Sequence, residues 1–197
     1  MLKKIIENSN VDAIFITDMY NLRYFTGFTG TTGMALATKE GKFFFSDFRY
    51  KEQATKQVEE KGFKFVEVGR NSLDKVKEII DKFGIKKVGF EDLNMTFNYY
   101  KKIEELFKVE LLALGSALSN QRLIKKDFEI ENIKKATEIS DIAFAETIKI
   151  VKAGMSEKDV AAHLEYIQRK LGAEDKSFNT IVASGYRSAL PHGVASD

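Results

Sequence analysis

Cysteine is absent from the 197 residues, which excludes a disulfide framework, a thiolate metal site and a cysteine nucleophile. Proline occurs once, at Pro191, where an average usage of about 5% would give roughly ten. Histidine occurs twice, at His163 and His192, so the one proline and one of the two histidines are neighbours close to the last residue, Asp197. An excess of one charge sign is also missing. Lys and Arg number 31 against 29 Asp and Glu, a net +2, which excludes a strongly basic nucleic-acid binder and gives no reason to expect a membrane surface as partner. No apolar run approaches membrane-spanning length. A signal-peptide core is missing as well, because Glu7, Asn8 and Asn10 follow the short Ile5-Ile6 pair. The expected location is the cytoplasm. What is present is ordinary for a globular chain of one to two domains: 44% hydrophobic and 30% charged residues, enough to bury a core.

The first 113 residues alternate between two periods. Residues 12–16 read as a buried strand, and residues 33–38 and 42–46 as two more, joined at Lys39-Glu40-Gly41 by a hairpin-length turn. Residues 49–61 read as a helix stopped by Gly62, and residues 63–68 as a half-buried strand. Ser72 is the expected N-cap of a helix carrying Leu73, Val76, Ile80 and Phe83 on one face. A strand at 87–91, a helix at 94–107 and a strand at 109–112 complete an α/β pattern, with the hairpin making the sheet mixed.

After about Leu114 the texture changes. Residues 129–151 read as a long helix with Ala136, Ile139, Ala143 and Ile150 on one stripe. Ser156 and Asp159 stand at capping-box spacing for a second, whose apolar face is Val160, Leu164, Ile167 and Leu171. Residues 180–184 read as a strand running into a loop that ends at His192. The domain boundary is expected at 119–122, giving domains 1–121 and 122–197. The chain stops at Asp197 with no closing element, which reads as a chain cut inside a site.

Four features bear on chemistry. Gly27, Gly30 and Gly33 have the spacing of a phosphate cradle, but a strand rather than a helix N-terminus follows, so a plain turn is expected. The doublets Lys125-Lys126 and Lys134-Lys135 are interleaved with Asp127, Glu129, Glu131 and Glu138, as on a solvated helix face. His163 sits at the edge of an apolar stripe with Ile167 where a metal-binding helix would carry its second ligand, so it reads as a packing histidine. His192 is different. Pro191 fixes the backbone before it and Gly193 frees it after, an arrangement that aims one imidazole. Chemistry alone leaves a functional role and a structural turn equally open.

The run Ser177-Phe178-Asn179-Thr180-Ile181-Val182-Ala183-Ser184-Gly185, followed by Ser188-Ala189-Leu190-Pro191-His192-Gly193, resembles the first active-site segment of Xaa-Pro aminopeptidases and prolidases, metallopeptidases of the pita-bread fold. Arg122, Lys125, Glu129 and Ile130, then Gly154 with residues 156–159 and 172–174, are similar to the helices that open that catalytic domain. Asn21-Leu22-Arg23-Tyr24-Phe25-Thr26-Gly27-Phe28, then Ser46-Asp47-Phe48-Arg49-Tyr50 and Gln53-Ala54, resemble the creatinase/prolidase N-terminal domain.

The resemblance implies a creatinase/prolidase-like α/β domain with a mixed sheet and flanking helices. The first helices and strand of an incomplete pita-bread α+β domain would follow it. It implies a parent enzyme that removes the N-terminal residue from peptides with proline second, using two divalent metals, manganese or cobalt, and a bridging hydroxide. The family's ligands, two aspartates, one histidine and two glutamates, lie beyond the Pro-His-Gly segment. None is therefore expected here, and Asp197 is no stand-in. This chain alone is expected to be inactive and to hold no metal. The one site residue carried over is His192, which in the family lines the pocket and hydrogen-bonds the substrate or tetrahedral intermediate. The implied partners are a proline-containing peptide and a second copy in a homodimer. Three other readings share the architecture: a prolidase limited to Xaa-Pro dipeptides, a metal-free binding protein like the histone-chaperone relatives, and creatinase. Pro191-His192-Gly193 favours an enzyme over the binding protein, and Ile181 to Gly185 favours the peptidases over creatinase.

Overall fold

The computed structural model describes all 197 residues, which divide into two compact units, Met1–Ile124 and Lys125–Asp197. In the first, β1 (Ala13–Ile16), β2 (Met34–Thr38), β3 (Lys42–Ser46), β4 (Lys64–Glu67), β5 (Lys87–Phe90) and β6 (Glu110–Ala113) form one sheet in the order β4-β3-β2-β1-β5-β6. The sheet is mixed. β2 runs antiparallel to both β1 and β3, while β3/β4, β1/β5 and β5/β6 are parallel. Helices α1 (Leu2–Asn8), α2 (Met19–Thr26) and α3 (Lys51–Glu59) cover one face, and α4 (Ser72–Lys82) and α5 (Phe97–Phe107) the other.

Both faces are therefore dry, and the central strands are apolar on both sides. Successive side chains of a strand point to opposite faces. Ile14 and Ile16 join Ala35, Ala37 and Phe44 under α1–α3. Ala13 and Phe15 join Met34, Leu36 and Phe45 under α4 and α5. The register Phe15↔Leu36 and Ile14↔Ala37 places these sets side by side, and a one-residue slip would exchange them.

Several elements differ from the sequence expectation. α1 and α2 form where the sequence pattern predicts no helix. The helix expected over 49–61 begins as a 3-10 turn, Phe48–Tyr50, whose N-cap is Asp47, and α3 proper ends at Glu59. Asn71, not Ser72, is the N-cap of α4. The helix expected from residue 94 starts at Phe97, after the Thr96 hydroxyl accepts the Tyr99 N–H.

The glycine run is a turn. Gly27, at φ +76°, caps α2 with its N–H on the Arg23 carbonyl. Gly33 lies against the Phe44 ring, which a Cβ there would meet at 2.5 Å.

In the second unit, α6 (Asp127–Ile148) packs on α7 (Glu157–Lys170). Of the stripe expected on α6, Ala143 is buried, whereas Ala136 and Ile150 are exposed and Ile139 is half-buried. The strand expected over 180–184 does not form. Ile181 makes a single antiparallel bridge to Val194, because no third segment within the unit extends the ladder. No helix is long and apolar enough to cross a membrane.

Candidate active-site loop

α7 starts with a reciprocal cap. The Ser156 hydroxyl accepts the Asp159 N–H at 3.1 Å, and the Asp159 carboxylate accepts the Ser156 N–H at 3.1 Å. That cap fixes the first helical residue, Glu157, whose side chain turns to the loop after Ile181 instead of to water; Glu157 is 6% exposed. Its Oε1 accepts the Ser184 N–H at 2.7 Å and the Ser184 hydroxyl at 3.3 Å. Its Oε2 accepts Arg187 Nε at 3.1 Å and both the N–H and the hydroxyl of Ser196 at 3.0 Å. Hydrogen bonds to the charged form favour it. The Ser184 amide above all, with Ser196 and Arg187, holds the Glu157 carboxyl at about 2, against the burial that pushes it up.

Between these anchors the chain makes a 3-10 turn over Gly185–Ala189, then Leu190, Pro191, His192 and Gly193. Arg187 spans the loop, donating from its second nitrogen to the Val194 carbonyl at 3.0 Å. Gly193 is buried; a Cβ there would lie 3.3 Å from the Ala183 and Leu190 side chains. His192 is exposed, as are Tyr186 and Leu190 on the same loop. One turn-pair further along α7, Glu165 accepts Thr180 Oγ1 at 2.5 Å and Lys176 Nζ at 3.0 Å. Glu157, Ala161 and Glu165, four residues apart, thus form the stripe of α7 that carries the segment leading into the loop.

The other sequence candidates lie elsewhere. His163 is half-buried on α7 and takes no part in the Glu157 cluster. Lys134 pairs with Glu131 at 2.8 Å on the exposed side of α6. No group of three His, Asp or Glu side chains converges anywhere, so these residues do not build a metal centre.

Sequence reasoning missed Glu157, Ser184, Arg187 and Ser196. In the sequence Glu157 is one of two acids in a helix's first turn, a pattern that dipole effects alone explain. It also missed a second buried acid, Glu91, just past β5. Glu91 Oε2 accepts the Thr17 and Asp18 N–H groups at 2.6 and 2.8 Å, and Oε1 accepts Asn21 Nδ2 at 2.7 Å. Asn21 Oδ1 in turn accepts Arg122 Nε at 2.9 Å. Burial pushes the Glu91 carboxyl up despite those donors. The only signal was an acid closing an apolar strand.

Comparison with known proteins places both units. The Creatinase/Prolidase N-terminal domain model matches residues 1–124, and that of metallopeptidase family M24 matches residues 131–197. The peptidase YqhT of Bacillus subtilis is 41% identical over the whole chain, and a Xaa-Pro dipeptidase of Pyrococcus horikoshii is 33% identical. The chain spans about half the length of these relatives, 55% of each. Among solved structures, a Xaa-Pro dipeptidase from Bacillus anthracis superposes with a TM-score of 0.92 at 39% identity, covering 99% of this chain and 54% of that one. An X-Pro aminopeptidase from Thermotoga maritima gives 0.88 at 36%, covering 98% and 56%. The chain therefore belongs to the creatinase/prolidase N-terminal domain family, and its residues 131–197 match the model of metallopeptidase family M24.

Proposed function

We propose that this chain is the N-terminal portion of a Xaa-Pro peptidase that releases the N-terminal residue from peptides with proline in second position. The observation that carries the reading is the anchored loop of residues 184–196, which presents His192 to solvent in a segment matching M24. The peptidase relatives and neighbours support it, with the chain covered almost completely by each. His192 is proposed as a catalytic residue that donates a hydrogen bond to the scissile carbonyl oxygen as negative charge develops there. Exposed Tyr186 and Leu190 on the same loop offer apolar surface to the proline side of the peptide. The metal pair that the family implies, manganese or cobalt, does not fit the donor set of residues 1–197, where no three His, Asp or Glu side chains converge. A prolidase limited to dipeptides is the second reading, supported by the Xaa-Pro dipeptidases among the relatives. Cytoplasmic location and homodimerisation belong to the same proposal.

The test is His192→Ala in the full-length enzyme. kcat/KM on a Xaa-Pro peptide should fall by roughly 10²–10³, the range for losing one oxyanion-type donor. Stability should move by less than about 0.5 kcal/mol, as for surface changes. Full activity, or loss of metal content, would show that the role is wrong.

A further inference from the structure

Resting on the peptidase reading of the loop, we infer that Glu157 is the positioning residue of His192, tying both ends of the loop to one carboxylate. The entry, middle and exit of the loop all meet it: the Ser184 N–H at 2.7 Å, Arg187 Nε at 3.1 Å and the Ser196 N–H at 3.0 Å. Other ties across the loop are few. They are the Ile181–Val194 bridge, the Arg187 bond to the Val194 carbonyl, the Arg187 N–H on the Ser184 carbonyl at 3.0 Å, and at the exit the Lys158 N–H on the Ser196 carbonyl at 3.2 Å with Lys158 Nζ on the Asp197 carboxylate at 2.9 Å. None of these ties the Ser184 end to α7, and the Lys158 bonds hold only the exit. A loop whose tip is exposed keeps a fixed shape only if its ends are fixed, and here one side chain on a capped helix fixes them together.

The charge matters as well as the shape. Every group facing the two oxygens is a donor, so an acceptor-only carboxylate satisfies all of them. Glutamine has the same outline, but whichever way its amide turns, its NH₂ faces donors: the Ser184 N–H, or Arg187 and Ser196. Half of the clasp is then lost and the freed donors are left unpaired. Glu157→Gln is thus a probe that changes hydrogen bonding without changing volume.

The experiment has two arms. In the first, amide hydrogen exchange is followed on this chain. Glu157→Gln should speed exchange across residues 184–196 by about tenfold or more, leaving the sheet of the first unit unchanged. Ser196→Ala removes a single hydroxyl donor to Glu157 and should speed the same segment less, which serves if the Gln variant does not fold. Wild-type exchange in the loop of either folded variant overturns the inference.

In the second arm, kcat and KM are measured in the full-length enzyme for Glu157→Gln, His192→Ala and the double variant. Glu157→Gln should lower kcat by about tenfold with KM little changed, and should cost nothing more once His192 is gone. A further, equal loss in the His192→Ala background would mean that Glu157 acts apart from His192 and would overturn the inference. Full activity of His192→Ala would instead defeat the peptidase role of His192, and the exchange arm would then decide the anchoring by itself.

Discussion

Glu157 and Glu91 are both buried acids, yet their protons respond to folding in opposite directions. Glu157 is surrounded by donors and sits at about 2, below its ordinary 4.5. Its contribution to stability is complete above the unfolded value and is lost as pH falls from about 4.5 towards 2. Glu91 is raised by desolvation, so the fold holds its proton more tightly than the open chain does. Its contribution is present at low pH and is lost as pH rises through the raised value. Melting the wild type and Glu157→Gln side by side between pH 5 and pH 2 isolates the first effect. The wild type should lose the greater stability over that window. Parallel curves would mean that the five bonds to Glu157 do not favour its charged form. Neither carboxylate was legible in the sequence. An acid's burial depends on which donors the fold brings to it, and those of Glu157 come from 27 to 39 residues away.

At the scale of elements, close approach of backbone to ring makes a sharp prediction. Gly33 leads into β2 directly over Phe44, a fully buried ring on β3. A methyl group at 2.5 Å cannot be accommodated by moving a free side-chain end. Gly33→Ala should therefore destabilise the first unit by about 1–3 kcal/mol, the usual cost of overpacking, read in a denaturant titration. An unchanged midpoint would contradict this packing. The central strands were legible because each is a short apolar run that the sheet buries on both faces, as Ala13–Ile16 and Met34–Thr38 show, whereas the edge strands Lys64–Glu67 and Glu110–Ala113 are only half-buried. Helices α1 and α2 were not. Seven and eight residues give only two turns, too few for a period to be counted, although Asp18 and Gly27 do cap α2. The strand expected over 180–184 failed for another reason. Strand character is a property of pairs, and β-rich residues without a neighbouring strand make only the one bridge at Ile181.

For the whole molecule, the two units differ in how completely they bury their apolar residues. The first has a core on each face of its sheet. The second buries Ala143 and Ala161 but exposes Phe128, Ile133, Phe144 and Ile148 along α6. Limited trypsin digestion should therefore leave a resistant fragment ending between Arg122 and Lys126, at the junction of the units. Scattered cuts within the first 110 residues would contradict independent folding of that unit. The family was legible at this scale through short motifs spread along the chain, and not through composition or charge. The anchoring of the His192 segment became visible only once α7 and the loop were placed together.

On the proposed reading, the full-length protein is specific for a proline in second position. The most direct test of that specificity is product analysis by mass spectrometry. The full-length protein, supplied with manganese, is incubated with a Xaa-Pro-Yaa peptide and with the same peptide carrying alanine second. The first residue should be released from the proline peptide, with little or no release from the alanine peptide. Equal release from both, or none from either, would contradict it.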